Sequence, residues 1–237
     1  MNRINILING CSFSRGPGSW PYFLKNATVT NLAQAGAGNT YIHETTVAEL
    51  AQRSYNFVAI MWTGIHRVDF KVSNIDRFAN STYTSRYQML QNDWAEKVID
   101  LINDQDYVEK NWVFGCGHIN KETAMTKTQM FDSVYRHLDE SEFVYNFLIK
   151  VISLQSLLKQ MNIPYVFTFY QDYINQLQQH SALYQLLDQR YIYNEQNISQ
   201  IMQSNNWYDV DGLHPGPQAH QVWAALIDNF IDNYDTN

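Results

Sequence analysis

Two hydrophobic rhythms alternate along this chain. Ile4-Asn5-Ile6-Leu7-Ile8-Asn9 is a short run rich in β-branched residues and predicts a strand packed on both faces. Thr28-Val29-Thr30-Asn31-Leu32 is β-prone and predicts a second strand. Asn56-Phe57-Val58-Ala59-Ile60-Met61-Trp62 is near-continuously apolar and predicts a third, and Pro164-Tyr165-Val166-Phe167-Thr168-Phe169-Tyr170 a fourth. Elsewhere the apolar spacing lengthens to three and four. Residues 41–53 predict a helix with Ile42, Val47, Leu50 and Ala51 inward. Residues 142–161 place Phe143, Phe147, Val151, Leu154, Leu158 and Met161 on one stripe, ended by Asn162. Residues 218–234 do the same with Ala219, Val222, Trp223, Leu226, Ile227, Phe230, Ile231 and Tyr234. Strands alternating with amphipathic helices give an α/β fold, a parallel sheet covered on both faces.

The pattern is interrupted in two places. Residues 63–163 would join the third strand to the fourth, far more than a minimal crossover requires. This insertion must carry structure of its own: 85–103 has helical spacing, and Trp112-Val113-Phe114 is a short strand candidate before a turn at Gly115-Cys116-Gly117. Residues 171–206 are polar and Gln-rich and predict two short surface helices. Ser19 is placed to cap a short helix with Trp20 and Pro21 in its first turn. No repeat or linker divides the chain, so 1–237 reads as a single domain.

Composition narrows the function classes. Hydrophobic residues make up 45% of the 237, enough for a sizeable core. The formal net charge is -7 without any Lys/Arg cluster, which argues against a nucleic-acid partner. Cys11 and Cys116 form neither a disulfide framework nor a zinc pattern, so no metal is expected. No signal peptide and no membrane span is apparent, which predicts a cytoplasmic or virion-associated protein.

The candidate chemistry lies at the two ends. Gly10-Cys11-Ser12 follows the first strand, where an α/β hydrolase-type enzyme would carry a nucleophile; the plain alternative is a turn serine. Asp211-Gly212-Leu213-His214-Pro215 precedes the last helix. There His214 would be a general base oriented by Asp211, or the segment an Asx-type turn with an exposed imidazole. His220 falls off the apolar stripe of its helix and reads as a surface residue; His43, His118, His137 and His180 have no partner motif.

Together these ends resemble the SGNH, or GDSL-type, hydrolase family. The resemblance implies a flavodoxin-like three-layer α/β/α sandwich with a large helical insertion between strands 3 and 4. It implies Ser12 as nucleophile, His214 as base and Asp211 as its orienting carboxylate, with no cofactor. Ala35-Gly36-Ala37-Gly38-Asn39-Thr40 is similar to the family's second block. On that likeness Gly38, then Gly36, would supply an oxyanion N–H beside that of Ser12, with Asn39 on the substrate side. In a flavodoxin-like sheet the loops after strands 1 and 3 share one crevice, which would bring Thr63-Gly64-Ile65-His66-Arg67 to the site.

Two departures stand out. The family's opening Asp is Cys11 here, read as a buried packing residue, and the third block lacks its Asn, leaving Arg67, Thr63 or His66 as replacement donors. The Gly-Cys-Ser-Phe opening is similar to that of a variant branch. The activity implied is a serine esterase removing a small acyl group from a carbohydrate or similar ester. The rival reading is a non-catalytic carbohydrate- or protein-binding module on the same fold, its insertion serving as a docking or homo-oligomer surface.

Overall fold

The computed structural model describes residues 3–71, 112–115 and 139–234. Its centre is a parallel sheet of β1 (Ile4–Asn9), β2 (Ala27–Asn31), β3 (Phe57–Trp62), β6 (Tyr165–Phe169) and β7 (Ile192–Tyr193), in the order β2-β1-β3-β6-β7. Register is fixed by pairs such as Ile6 with Val29 on one side and Phe57 on the other. The chain steps outward from β1 to β2, then back past β1 to β3. Right-handed crossovers put those two connections on opposite faces, which gives the three-layer arrangement expected. Strand order reverses beside β1, so the crevice lies at the carboxyl ends of β1 and β3.

Helices flank the sheet. Helix α1 (Asn39–Leu50) packs on α2 (Glu140–Gln160), whereas α3 (Ile198–Asn205) packs on α4 (Pro217–Asp232), and α4 also covers the 3-10 turn Trp20–Phe23. Their ends follow ordinary capping chemistry. The Asp139 carboxylate accepts the Ser141 N–H at the start of α2, and Asn197 and Gln200 form a capping box on α3. Asn162 and Asn206, just past α2 and α3, take the left-handed backbone that Asn tolerates. The core is continuous from Leu7 and Ile8 through Val58, Met61 and Trp62 to Val166 and Phe167, all fully buried. Each such aliphatic or aromatic side chain contributes roughly 1.5–3 kcal/mol on burial.

Several expectations are corrected. Ala51, Met161 and Val222 lie exposed although their spacing placed them inward: Ala51 and Met161 sit at the ends of their helices, and Val222 falls beside the buried stripe of Ala219, Trp223, Ala224 and Ile227. Residues 171–206 are more than surface helices: they add the fifth strand β7 and bury Leu177, Leu187, Ile198 and Ile201. The insertion is not purely helical, since β4 (Val68–Lys71) pairs antiparallel with β5 (Trp112–Gly115). The helix expected over 85–103, together with Cys116, His118 and His137, lies outside the described residues. At the end of β1, Gly10 allows a close approach: a Cβ there would stand 2.7 Å from Ser14 Oγ and 3.1 Å from the Met61 carbonyl oxygen.

Candidate active site

The site begins where β1 runs out. Asn9 is buried yet satisfied, its amide nitrogen reaching the Ile42 carbonyl and the Thr45 and Thr46 hydroxyls while its oxygen accepts the Gly10 N–H. This fixes the end of β1 against α1. Cys11, buried, then leads into a tight 3-10 turn over Ser12–Ser14, closed by Ser14 N–H donating to the Cys11 carbonyl. The turn is anchored from below, because Trp20 Nε1 donates to Ser14 Oγ at 2.9 Å. Ser19 heads the next turn as expected, but its hydroxyl donates to the carbonyls of Ser14 and Gly16 instead of capping. Ser12 is left half-buried at the turn's first position, its N–H free of any helical partner.

His214 arrives from the far end of the chain. Its loop is a narrow hairpin: Asp209 N–H donates to the His214 carbonyl, Gly216 N–H to the Trp207 carbonyl, and Tyr208 bridges Pro215. Gly212 turns the tip at φ +67, and Gly216 admits no side chain because a Cβ would meet Tyr208 O at 2.7 Å. Within this hairpin Asp211 folds back. One carboxylate oxygen accepts the backbone N–H groups of Leu213 and His214, at 2.8 and 2.9 Å, and the other lies 2.5 Å from His214 Nδ1. His214 Nε2 lies 3.0 Å from Ser12 Oγ. A carboxylate only accepts, so Nδ1 carries the ring proton and Nε2 is left to accept from the serine hydroxyl. The Phe13 ring meets the imidazole edge-on at 5.5 Å and holds its plane. For Asp211, partial desolvation pushes the carboxyl up, but the His214 and Leu213 N–H groups and then the imidazole outweigh it and hold the group at about 2.

Ser12 and His214 open onto a cleft of about 810 Å³, also walled by Arg15, Tyr22, Gln34, Asp209 and His220. His220 corrects the sequence reading. It is 7% exposed, packed beneath the hairpin, and burial drives its imidazole down to about 4. Its helical spacing marked it as off-stripe, but the first turn of α4 lies under the His214 hairpin, which covers it.

The expected oxyanion donors are arranged otherwise. Gly38 N–H donates to Asp69 Oδ2 at 3.0 Å, so it is already engaged. Asn39 holds the Thr63 N–H with its oxygen and the Thr63 and Gly64 carbonyls with its nitrogen. Arg67 Nη1 donates to the Ala37 carbonyl, its guanidinium lying over the Tyr170 ring. Thr63 is buried outright, and Gly36 turns the loop at φ +79. None of these five is among the described residues that wall the cleft. Asp69, which receives the Gly38 N–H, had no sequence signal beyond a charge within a β-prone stretch. Among the described residues no cluster of three His, Cys, Asp or Glu stands ready for a metal, and no helix is long and apolar enough to cross a membrane.

No family model and no curated protein matches the sequence. Solved structures are similar in outline. The psychrotrophic esterase EstA from Pseudoalteromonas sp. superposes with a TM-score of 0.49 at 11% identity, over 98% of this chain and 99% of that one. A two-domain esterase (CEX) active on acetylated mannans gives 0.45 at 14%, over all of this chain and 50% of that one. The acetylxylan esterase Axe2 from Geobacillus stearothermophilus gives 0.44 at 12%, over 98% and 95%. At these levels the chemistry of the site has to be read from its own geometry.

Proposed function

We propose that this protein is a serine esterase of the SGNH type. The observation that carries the reading is the pair of contacts on His214, Ser12 Oγ at 3.0 Å from one ring nitrogen and Asp211 at 2.5 Å from the other. His214 Nε2 takes the hydroxyl proton as Ser12 Oγ attacks the ester carbonyl. The imidazolium, stabilised by Asp211, returns that proton to the leaving alcohol. Water, deprotonated by the same nitrogen, then releases the acyl group as a carboxylic acid and restores Ser12. The Ser12 backbone N–H is the donor best placed for the oxyanion, since it heads a turn without an internal partner. The cleft mixes the Tyr22 face with Arg15, Gln34 and Asp209, which suits a polar, hydroxyl-bearing alcohol such as a sugar. A small acyl group on a carbohydrate is accordingly the substrate class proposed.

The second reading, a binding module that has lost catalysis, is favoured by one observation: Gly38 N–H and the Asn39 side chain are both committed to other partners. A serine-directed fluorophosphonate probe separates the two. The esterase reading expects labelling that disappears in Ser12→Ala, with p-nitrophenyl acetate turnover falling about ten-thousandfold or more. An intact fold that the probe never labels supports the binding module instead.

A further inference from the structure

The geometry points to Asp69, on β4 of the insertion, as the positioning residue that holds the nucleophile turn in place. This rests on reading Ser12 as the nucleophile. The Asp69 carboxylate is 4% exposed and accepts three backbone N–H groups, from Gly38 at 3.0 Å, Thr40 at 3.1 Å and Tyr41 at 2.8 Å. Those are the orphan donors at the start of α1. The cap position itself is Gly38, which has no side chain to satisfy them, so the cap is delivered from 31 residues further along the chain. The fit is close: a Cβ on Gly38 would stand 2.8 Å from the Asp69 carboxyl carbon.

The clasp does not end there. Asn39 ties α1 to Thr63 and Gly64, and Arg67 ties Ala37 to the same segment. The loop after β2 and the loop after β3 thus become one body, although β1 lies between their strands in the sheet. That body reaches the nucleophile turn by two routes. Ala37 N–H donates to the Gln34 carbonyl, and Gln34 N–H donates to the carbonyl of Gly10, two residues before Ser12. Asn31 Nδ2 donates to the Ser14 carbonyl at 2.7 Å, two residues after it. A carboxylate from the insertion therefore fixes the wall against which the serine turn is hung. Asp69 touches neither Ser12 nor the cleft, so its effect is on placement.

The test compares full-length wild type with Asp69→Asn, which keeps the shape but sets an amide against the N–H groups. The control is Leu158→Ala in the core helix α2, or a milder Leu158 variant if needed to match its thermal loss. Hydrogen exchange is followed by mass spectrometry over 8–16 and 33–41, and p-nitrophenyl acetate kinetics are measured well below the melting temperature. Asp69→Asn is expected to quicken exchange in both segments and to lower kcat by about 10- to 100-fold, with KM within about twofold. The control is expected to quicken exchange in these segments less than Asp69→Asn does and to leave kcat unchanged. Unchanged exchange over 8–16, or a kcat equal to that of the control, overturns the proposal. If wild type itself fails to turn over the ester or to react with the fluorophosphonate, the nucleophile reading falls, and the exchange data alone still decide whether Asp69 holds the turn.

Discussion

The hairpin that carries His214 and the clasp built on Asp69 are both made of carboxylates accepting backbone N–H groups, yet they are opposite in kind. Asp211 closes on partners two and three residues away, in a loop whose tip stands in water, with Val210 and Leu213 exposed beside it. Asp69 closes on partners 28 to 31 residues away and is buried. Local closure costs little chain entropy and leaves the carboxylate hydrated, so its charge is kept cheaply and serves the imidazole. Long-range closure needs the whole sheet in place first, and burial drives the Asp69 carboxyl upward against the pull of its three N–H donors. On the esterase reading, one region is arranged for charge during reaction and the other for rigidity.

The largest effect is expected of Asp211→Asn. That change leaves an exposed loop intact but removes the acceptor that sets the His214 tautomer. Esterase turnover should fall about 100- to 10,000-fold, while the urea midpoint stays close to wild type. A midpoint that falls with the activity would mean the hairpin is structural as well.

Acid sharpens the contrast next. His220, buried and neutral, has its imidazole lowered to about 4, first by burial and then against the opposing pull of Asp209. The unfolded chain takes up that proton at the ordinary value near 6.5, so it binds more protons than the fold between the two. Stability is therefore full above about pH 6.5 and is lost as pH falls toward 4, by up to about 3 kcal/mol. Urea melts at pH 7, 5.5 and 4.5 measure this, and His220→Gln should flatten the slope. Asp211, its carboxyl held at about 2, stays charged across this range. The smallest effect expected is that of Gly38→Ala. The new methyl meets the Asp69 carboxylate and should cost about 1–3 kcal/mol, read from chemical denaturation, because the carboxylate cannot retreat without releasing the three N–H groups.

Legibility in the sequence follows the same division. The strands β1 and β3 and the helices α2 and α4 could be read because their signals are local periodicities, and so could Asp211-Gly212-Leu213-His214. The turn that carries Ser12 could be read because a glycine follows an apolar run. β7 could not: it has two residues, Ile192–Tyr193, and only the edge of β6 makes it a strand. His220 misled because helical spacing reports one face of α4, whereas its burial comes from a loop laid over the helix start. The Gly-rich block marks Gly38 and Asn39 as special, but not that their polar groups meet Asp69, Thr63 and Gly64. Nothing in a linear pattern tells that Asp69 comes back to accept the N–H groups of Gly38, Thr40 and Tyr41.

The hydroxyl of Ser12 and the ring of His214 are separated by 202 residues, and the hairpin bearing the ring runs directly into α4, which docks on Trp20–Phe23. A ribosome-bound chain therefore exposes Ser12 long before it has His214 to set beside it. On the esterase reading, a fragment ending short of α4 would be chemically silent, and the first turnover would double as a readout that these two distant segments have met.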